Sequence, residues 1–550
     1  MIKNSFIELR ARERAIALLD ENSFTELLGP FDRLESPHLV PQGIVPQSDD
    51  GVIIARGTFN GIDAVVLAIE GAFQGGGIGE VCGSKISGSL ERILIDVEKG
   101  KQVIPIIIFD TGGVRLQEAN YGLLVISEIQ SAIIALRHYG PVIGLIPGNV
   151  GCFGGMSITA ALCSELIMTD VARFGLNGPE VIEQEAGVRE FNSRDRRLIW
   201  DTIGGNARFD LGLVDQLIED DVEQFKFAIQ LAIKKVPVTP RTHQIDKFLS
   251  AINQLDPSIK TTPKNLRSFL QLSQAQAPVI KNSNTSSRGR TWFNALTANS
   301  PSISDFPSVL VADKLFKGKI TRFIAVVPNE ENRYPRALHG EIGLQEGWVL
   351  AKYIRQAITE DAQSELKRNI VAVIDVPSQA YGYNEELMGI HYACAASVDA
   401  YATARMSGHS LTGVIVGNAI SGAFLAHGLQ CSRLIALNDK KINVQAMSKK
   451  SAARITKRTV AELDKATDTV PAMAYDINSF YALGALDALV DVNNADSPTL
   501  EDIDKVSREL AKAISAGDHT LSQRLKTIPA TLAGRLSSNQ VRKKIAEQWN

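Results

Sequence analysis

The stretch VIGLIPGNVGCFGGMSITAALC, Val142 to Cys163, carries no charged side chain and is long enough to be read as a membrane span. Its interior argues otherwise. Pro147, Gly148, Asn149, Gly151, Gly154 and Gly155 interrupt the run as turn residues do, so it predicts a buried strand, a glycine-rich turn and a buried helix. A partner lies in the second half: LTGVIVGNAISGAFLAHGLQC, Leu411 to Cys431, repeats the order of apolar strand, Gly-Asn, short turn and small-residue helix. The pairing extends upstream, where IPIIIFDTGGVRLQEA ends a strand at Asp110 and IVAVIDVPSQAYGYNEE ends one at Asp375. Two copies of one βαβ-based unit is the economical reading. The expected fold class is α/β, with parallel strands buried on both faces and ligands gathered beyond their carboxyl ends, where all four turns lie.

Composition narrows the function classes. The apolar fraction of 45% and charged fraction of 22% are those of ordinary globular protein, and a net charge of -3 offers no basic field for nucleic acid. The opening MIKNSFIELRARERAIALLD alternates charged and apolar residues, unlike a signal peptide, so a cytoplasmic setting away from the membrane is expected. Cys82, Cys152, Cys163, Cys394 and Cys431 are scattered singly and read as small core residues, with neither a disulfide framework nor a metal site. The polar run PVIKNSNTSSRGR marks a linker at 278–290 and divides the chain into units 1–277 and 291–550.

Two adjacent small residues at the start of a buried helix expose backbone N–H groups that have no intrahelical partner. Such donors suit an oxyanion hole for a thioester carbonyl that becomes an enolate. Gly154 and Gly155 are the candidates in the first half, and Gly422 and Ala423 in the second. Tight turning and close packing alone would also explain glycine at one such turn; its duplication favours function. No Gly-Lys-Ser/Thr follows either turn, which disfavours a phosphate loop.

At these residues the sequence resembles the carboxyltransferases of the crotonase superfamily. GGGIGEVCGSK (Gly75 to Lys85), DTGGVRLQEA (Asp110 to Ala119), the Gly154-Gly155 turn and NGPEVIEQ (Asn177 to Gln184) resemble, in order, the β subunit of the bacterial acetyl-CoA carboxylase carboxyltransferase. VPNEENRYPRALHGEIGLQEGWVLAKYI, VIDVPSQAYGYNEE and GNAISGAFLA resemble its α subunit more weakly. FIELRARERAIALLD onward and SRGRTWFNALTANS are similar to the β and γ subunits of biotin-independent malonate decarboxylase, as though the two were fused and the linker were their junction. The N-terminal cysteine ribbon of the bacterial acetyl-CoA carboxylase β subunit is missing, and the second-half turn reads SQAYGYNEE where that carboxylase has a proline-glycine version.

The resemblance implies two tandem crotonase-like domains that decarboxylate a malonyl thioester on acyl carrier protein. The substrate would ride on a coenzyme-A-like prosthetic arm, with no cofactor bound in the chain and no biotin. Gly154 and Gly155 would hold the thioester oxygen; Gly422 and Ala423 would hold the departing carboxylate or carbon dioxide. His391 and His427 are proton-donor candidates, although each could simply pack in the core. Ser378 and Tyr381 lie on a pocket turn, where turn chemistry alone explains the serine. Gly76, Gly77, Gly112, Gly113 and Arg115 are candidates for the prosthetic arm, although an i+3 pair between Arg115 and Glu118 is the stronger expectation for that arginine. Glu80 and Lys85 flank the first glycine loop. The basic run SKKSAARITKR, Ser448 to Arg458, is a solvated face or a docking surface for acidic carrier protein. An oligomer with carrier protein and an acyl-carrier transferase is expected. The rivals are a carboxyltransferase delivering to biotin and a non-catalytic docking scaffold.

Overall fold

The computed structural model describes residues 4–236, 238–271 and 282–549. In the first half, β1 (Thr25–Leu27), β2 (Val52–Phe59) and β3 (Ile62–Ile69) pair antiparallel. β4 (Ile104–Ile108), β5 (Ile143–Ile146), β6 (Glu165–Thr169) and β7 (Gln216–Ile218) follow in parallel, so the sheet runs in chain order. The β2–β3 hairpin closes on Asn60 and Gly61, both at positive φ (49° and 76°), a turn whose twist matches that of the strands. β4 reads IPIII and is buried along its whole length, as a parallel strand covered on both faces must be. Helices α1 (Glu80–Glu98), α2 (Ala119–Leu136) and α3 (Gly154–Ala160) make the crossovers. By length and composition α2 could cross a membrane, yet 89% of that window is buried in this fold. Helix α4 (Ile245–Gln254) follows the first sheet.

The second half repeats the plan. β8 (Val309–Phe316) and β9 (Lys319–Val326) form a hairpin on Lys317 and Gly318, again at positive φ. β10 (Asn369–Val376), β11 (Leu411–Ile420), β12 (Arg433–Leu437) and β14 (Ala488–Val490) continue in parallel, with the short β13 (Val444–Gln445) beside β11. Helices α5 (Leu344–Glu360), α6 (Ile390–Met406) and α7 (Ser421–Ala426) take the places of α1, α2 and α3; α8 (Leu536–Gln548) closes the chain.

Strand-end carboxylates hold the functional turns. Asp110 Oδ1 accepts from the Val150 N–H (2.9 Å) while Arg14 donates to Oδ2 (2.9 Å); Asp375 Oδ1 accepts from the Asn418 N–H (3.0 Å) and its Oδ2 from the Gly289 N–H (3.0 Å). Gly417-Asn418, read as a turn, lies inside β11, which continues to Ile420 and shortens the second turn. Of the predicted linker, residues 278–281 lie outside the described residues. Its last three residues already belong to a helix, Arg288–Thr297, capped by Ser287 accepting from the Arg290 N–H (3.1 Å).

The two halves exchange their ends. α4 lies on α5, with Phe248 stacked on Trp348 at 4.5 Å, and α8 returns to the first half, where Arg542 reaches Glu91 of α1 and Glu128 of α2. Arg535 adds a 2.8 Å pair to the buried Glu128. Asp399 of α6, fully buried, accepts from Arg137 at the end of α2 (2.7 Å) and also from Thr242. The main apolar core therefore runs through α2, α3, α6 and α7 without a break between halves. All five cysteines are free and buried.

Candidate active site

Two turns meet beyond the carboxyl end of β4. The Thr111 N–H donates to the Gly151 carbonyl (2.8 Å) and the Phe153 N–H to the Thr111 carbonyl (3.0 Å), so residues 111–114 and 151–155 are fastened side by side. Gly154 sits at φ +58°, and a Cβ there would lie 3.2 Å from Gly113 Cα and 3.3 Å from the Gly112 carbonyl oxygen. Only glycine meets both conditions comfortably.

Gly154 does not share the donor role expected of it. Its N–H donates to the Leu176 carbonyl (2.9 Å). Within residues 111–114 and 151–155, the donors left without a protein acceptor are the N–H groups of Gly155 and, on the facing turn, Val114. A Cβ on Gly154 would lie 3.8 Å from Val114 N, so the two donors border the same space.

The second half repeats this construction in a register shifted by one residue from the sequence reading. Ser421 takes φ +57°, matching Gly154, so Gly155 corresponds to Gly422 and Ala423 falls one position deeper. On the facing turn, Ile78 bridges Val114 and Ile342 bridges Gln379, which puts Gln379 in the place of Val114. Ala423 is fully buried and does not border the cavity. Gly422 does border it, but its N–H donates to Gln379 Oε1 (3.1 Å). Gln379 Nε2 donates in turn to Asn177 Oδ1 (2.8 Å), and Asn177 Nδ2 to the Ala380 carbonyl (3.1 Å), so one amide chain links the halves.

Gly155 and Gly422 border one cavity of about 620 Å³ between α3 and α7. Gly77, Gly112, Arg115 and Tyr381 also line it. Gly76 and Gly113 do not: a Cβ on Gly76 would sit 2.0 Å from the Asp110 carbonyl oxygen and one on Gly113 3.0 Å from Gly154 Cα, so both serve close packing. The Arg115 guanidinium is buried between Asp50 (2.6 Å) and Glu118 (2.9 Å), which removes it as a partner for prosthetic-arm phosphates. Burial pushes the Glu118 carboxyl up, but the Arg115 charge, together with His38 and the hydrogen bonds from Ser36 and the Glu80 N–H, outweighs it, and the group titrates below its ordinary range. Arg173, which sequence reasoning missed, lines the cavity with its guanidinium against Phe153 and Trp200; its hydrogen bonds go to the Asn149 and Val150 carbonyls. No periodic or charge signal in TDVARFG singles it out.

Neither histidine reaches the cavity. His391 is buried against Phe174 and Tyr392 with no hydrogen-bond partner at either ring nitrogen; burial, then the Arg208 charge, holds its pKa well below the usual value. His427 is paired on both sides, with the Tyr401 hydroxyl at 2.9 Å and the Val373 carbonyl at 3.1 Å, and burial pushes its pKa down to about 4. Both are core residues, neutral near pH 7. The side chain of Ser378 does not border the cavity, and its carbonyl accepts from the Ile342 N–H (3.0 Å). Tyr381 is half-buried in the wall, its phenol raised above the usual pKa by burial, so it stays protonated near neutrality.

The loop carrying Leu176 and Asn177 hangs on a residue of the second half that sequence reasoning also missed. Glu386 accepts from the Leu176 N–H (3.1 Å) and the Asn177 N–H (2.6 Å), and burial raises its pKa to about 7 against the opposing pull of Arg208. Glu80 and Lys85 face away from the chemistry: Glu80 accepts from Ser538 and meets His38, while Lys85 donates to the carbonyls of Leu28, Asp49 and Val52. The basic run forms a helix, Lys449–Thr456, at the cavity mouth, where Ile455 and Thr456 enter the lining. Among the described residues no cluster of three His, Cys, Asp or Glu side chains is arranged to hold a metal ion.

Comparison with known proteins agrees with this architecture. The carboxyl transferase domain family matches residues 8–268, and the malonate decarboxylase gamma subunit family matches residues 337–549. Malonyl-S-ACP:biotin-protein carboxyltransferase MADC of Malonomonas rubra is 38% identical over 275 residues, covering 48% of this chain and 86% of that protein. Its companion MADD, from the same organism, is 35% identical over 170 residues, covering 30% of this chain and 58% of MADD. A chain of the Pseudomonas malonate decarboxylase hetero-tetramer, solved in complex with malonate, is 50% identical over 49% of this chain and 98% of its own length, with a TM-score of 0.48. The chain belongs to the carboxyl transferase family. Within that family it joins a β-type and a γ-type malonate decarboxylase unit end to end.

Proposed function

We propose that the cavity decarboxylates a malonyl thioester presented by acyl carrier protein and releases the acetyl thioester and carbon dioxide without biotin. The electrons of the breaking C–C bond pass to the thioester as an enolate, and a proton then reaches its carbon. The observation that carries this reading is the pair of unaccepted N–H donors, Gly155 and Val114, bordering a cavity shared by both halves. Losing one such donor typically costs about 3 kcal/mol of transition-state stabilisation. Gly154 acts in this reading by conformation alone. Tyr381 is the proton donor, because it is the candidate from the sequence that borders the cavity with a proton to give. Arg173 takes over from Arg115 as the partner of an anionic group, the malonyl carboxylate or an arm phosphate.

In the same reading the chain comprises units 1–277 and 291–550 joined by 278–290 and works in the cytoplasm with carrier protein and an acyl-carrier transferase. Lys450, Arg454 and Lys457, exposed beside the cavity mouth, receive the acidic carrier. Reversing these three charges should weaken carrier binding while leaving turnover of malonyl-CoA unchanged; unaltered affinity would remove that surface from the proposal.

The purified chain with malonyl-carrier protein, or malonyl-CoA as surrogate, should release carbon dioxide in the absence of biotin. Carboxyl transfer to a biotin protein is the second reading, and the descriptions of MADC and MADD favour it. Release only on addition of biotin would establish it. Tight carrier binding without turnover under either condition would instead identify a scaffold.

A further inference from the structure

In the first half the facing turn offers a valine side chain, and the Gly155 N–H is left without an acceptor. In the second half the equivalent position is a glutamine, and its own carboxamide oxygen fills the corresponding place on Gly422 (3.1 Å). The side chain cannot turn its amide around without penalty: Nε2 donates to Asn177 Oδ1 (2.8 Å), and Asn177 is itself oriented by donating to the Ala380 carbonyl (3.1 Å). A flip would oppose two N–H groups at Gly422 and two oxygens at Asn177. Gln379 and Asn177 border the cavity but are only 5% and 2% exposed, so most of each side chain is committed to these bonds.

We propose that Gln379 is a built-in occupant of the second-half amide hole and thereby determines which carboxyl acceptor the second half admits. A neutral carbonyl ligand, such as the cyclic urea of biotin, would gain one hydrogen bond from Gly422 and cost the one already there, besides displacing a buried side chain. A carboxylate forms the stronger, charge-assisted bond and can compete. Selection thus works by exclusion of the neutral ligand.

This inference rests on the decarboxylase reading for its consequence. With the hole filled, carbon dioxide leaves and the enolate carbon takes its proton from the enzyme's acid. With the hole open, a urea nitrogen attacks carbon dioxide, forming the N–C bond, and its proton goes to the enolate carbon, so that malonyl thioester and biotin become acetyl thioester and carboxybiotin.

The test measures binding separately from turnover. Free biotin is titrated calorimetrically into the full chain and into Gln379→Ala, Gln379→Met and Asn177→Ala, and carboxybiotin and carbon dioxide are then quantified from malonyl-CoA. Gln379→Ala should bind biotin at least tenfold more tightly than the parent chain and form carboxybiotin. Gln379→Met, which refills the space, should stay closed. Asn177→Ala, which frees the glutamine amide without touching the Gly422 bond, should fall between. Biotin binding by the parent chain as tight as by Gln379→Ala, or equal exclusion by a folded Gln379→Ala, would overturn the proposal. Failure of every variant and the parent to release carbon dioxide or transfer it would overturn the decarboxylase reading instead, and the binding titration would still decide whether Gln379 fills the hole.

Discussion

A side chain at position 155 would meet two neighbouring side chains before it met a substrate: its Cβ would lie 2.8 Å from Leu425 and 3.2 and 3.3 Å from two carbons of Ile126. Glycine there lets the first half's helix end press against the second half while its N–H stays open. Gly155→Val should force Leu425 aside and block oxygen approach, lowering kcat/KM about 100-fold or more, the scale of one lost oxyanion donor. A melting temperature within a few degrees of the parent's would show that the loss is local. Tyr381→Phe removes the proposed acid but little volume; kcat should fall about 100-fold or more with KM nearly unchanged. A Tyr381→Phe enzyme of parental kcat would take the proton from solvent. His427 governs stability instead. Its folded pKa of about 4 lies below the ordinary value, so the unfolded chain binds the proton first as pH falls. The stabilisation lost between pH 7 and pH 5 is about 2 kcal/mol. Urea unfolding at the two pH values should show that loss in the parent and a smaller one in His427→Gln.

The element that most directly shapes the first-half turn is the loop of Leu176 and Asn177, suspended from Glu386. Glu386→Gln keeps the size but turns one acceptor into a donor facing an N–H. The loop should loosen, and with it the Gly154 bond that sets the turn; kcat should drop about tenfold, the worth of roughly one net hydrogen bond, with an unchanged far-UV spectrum. The elements themselves were legible in the sequence: VIPIIIFD, PVIGLIP, NIVAVID and TGVIVG all became strands, because burial on both faces leaves an unbroken apolar run. The repeat was legible too, but its register was not. Matching GG with GA by letter hides that Ser421 adopts the left-handed conformation of Gly154, a strain that tertiary packing must impose. An alignment counted from the strand-end acids would have paired Val114 with Gln379, since each follows its aspartate by four positions. The partners of Arg115 and the burial of His391 and His427 depend on contacts distant in sequence, which no local pattern carries.

Across the whole molecule, the halves share a core and exchange helices α4 and α8, contacts that should hold them together without the covalent connection. Expressed as two polypeptides, residues 1–277 and 282–550, the chain should assemble on co-expression and retain carbon dioxide release. Because Glu128 with Arg535, and Asp399 with Arg137, are shielded from solvent, about 0.5 M salt should not separate the pieces on a sizing column. Separate elution would mean that the junction does hold them. The exchange of α4 and α8 has one more consequence. Each half holds the other through an exchanged helix, which opposes a jaw-like parting of the walls for a bulky guest. Under the proposed function, an acyl group is then threaded inward on a slender tether, while the body that bears the tether waits at the rim.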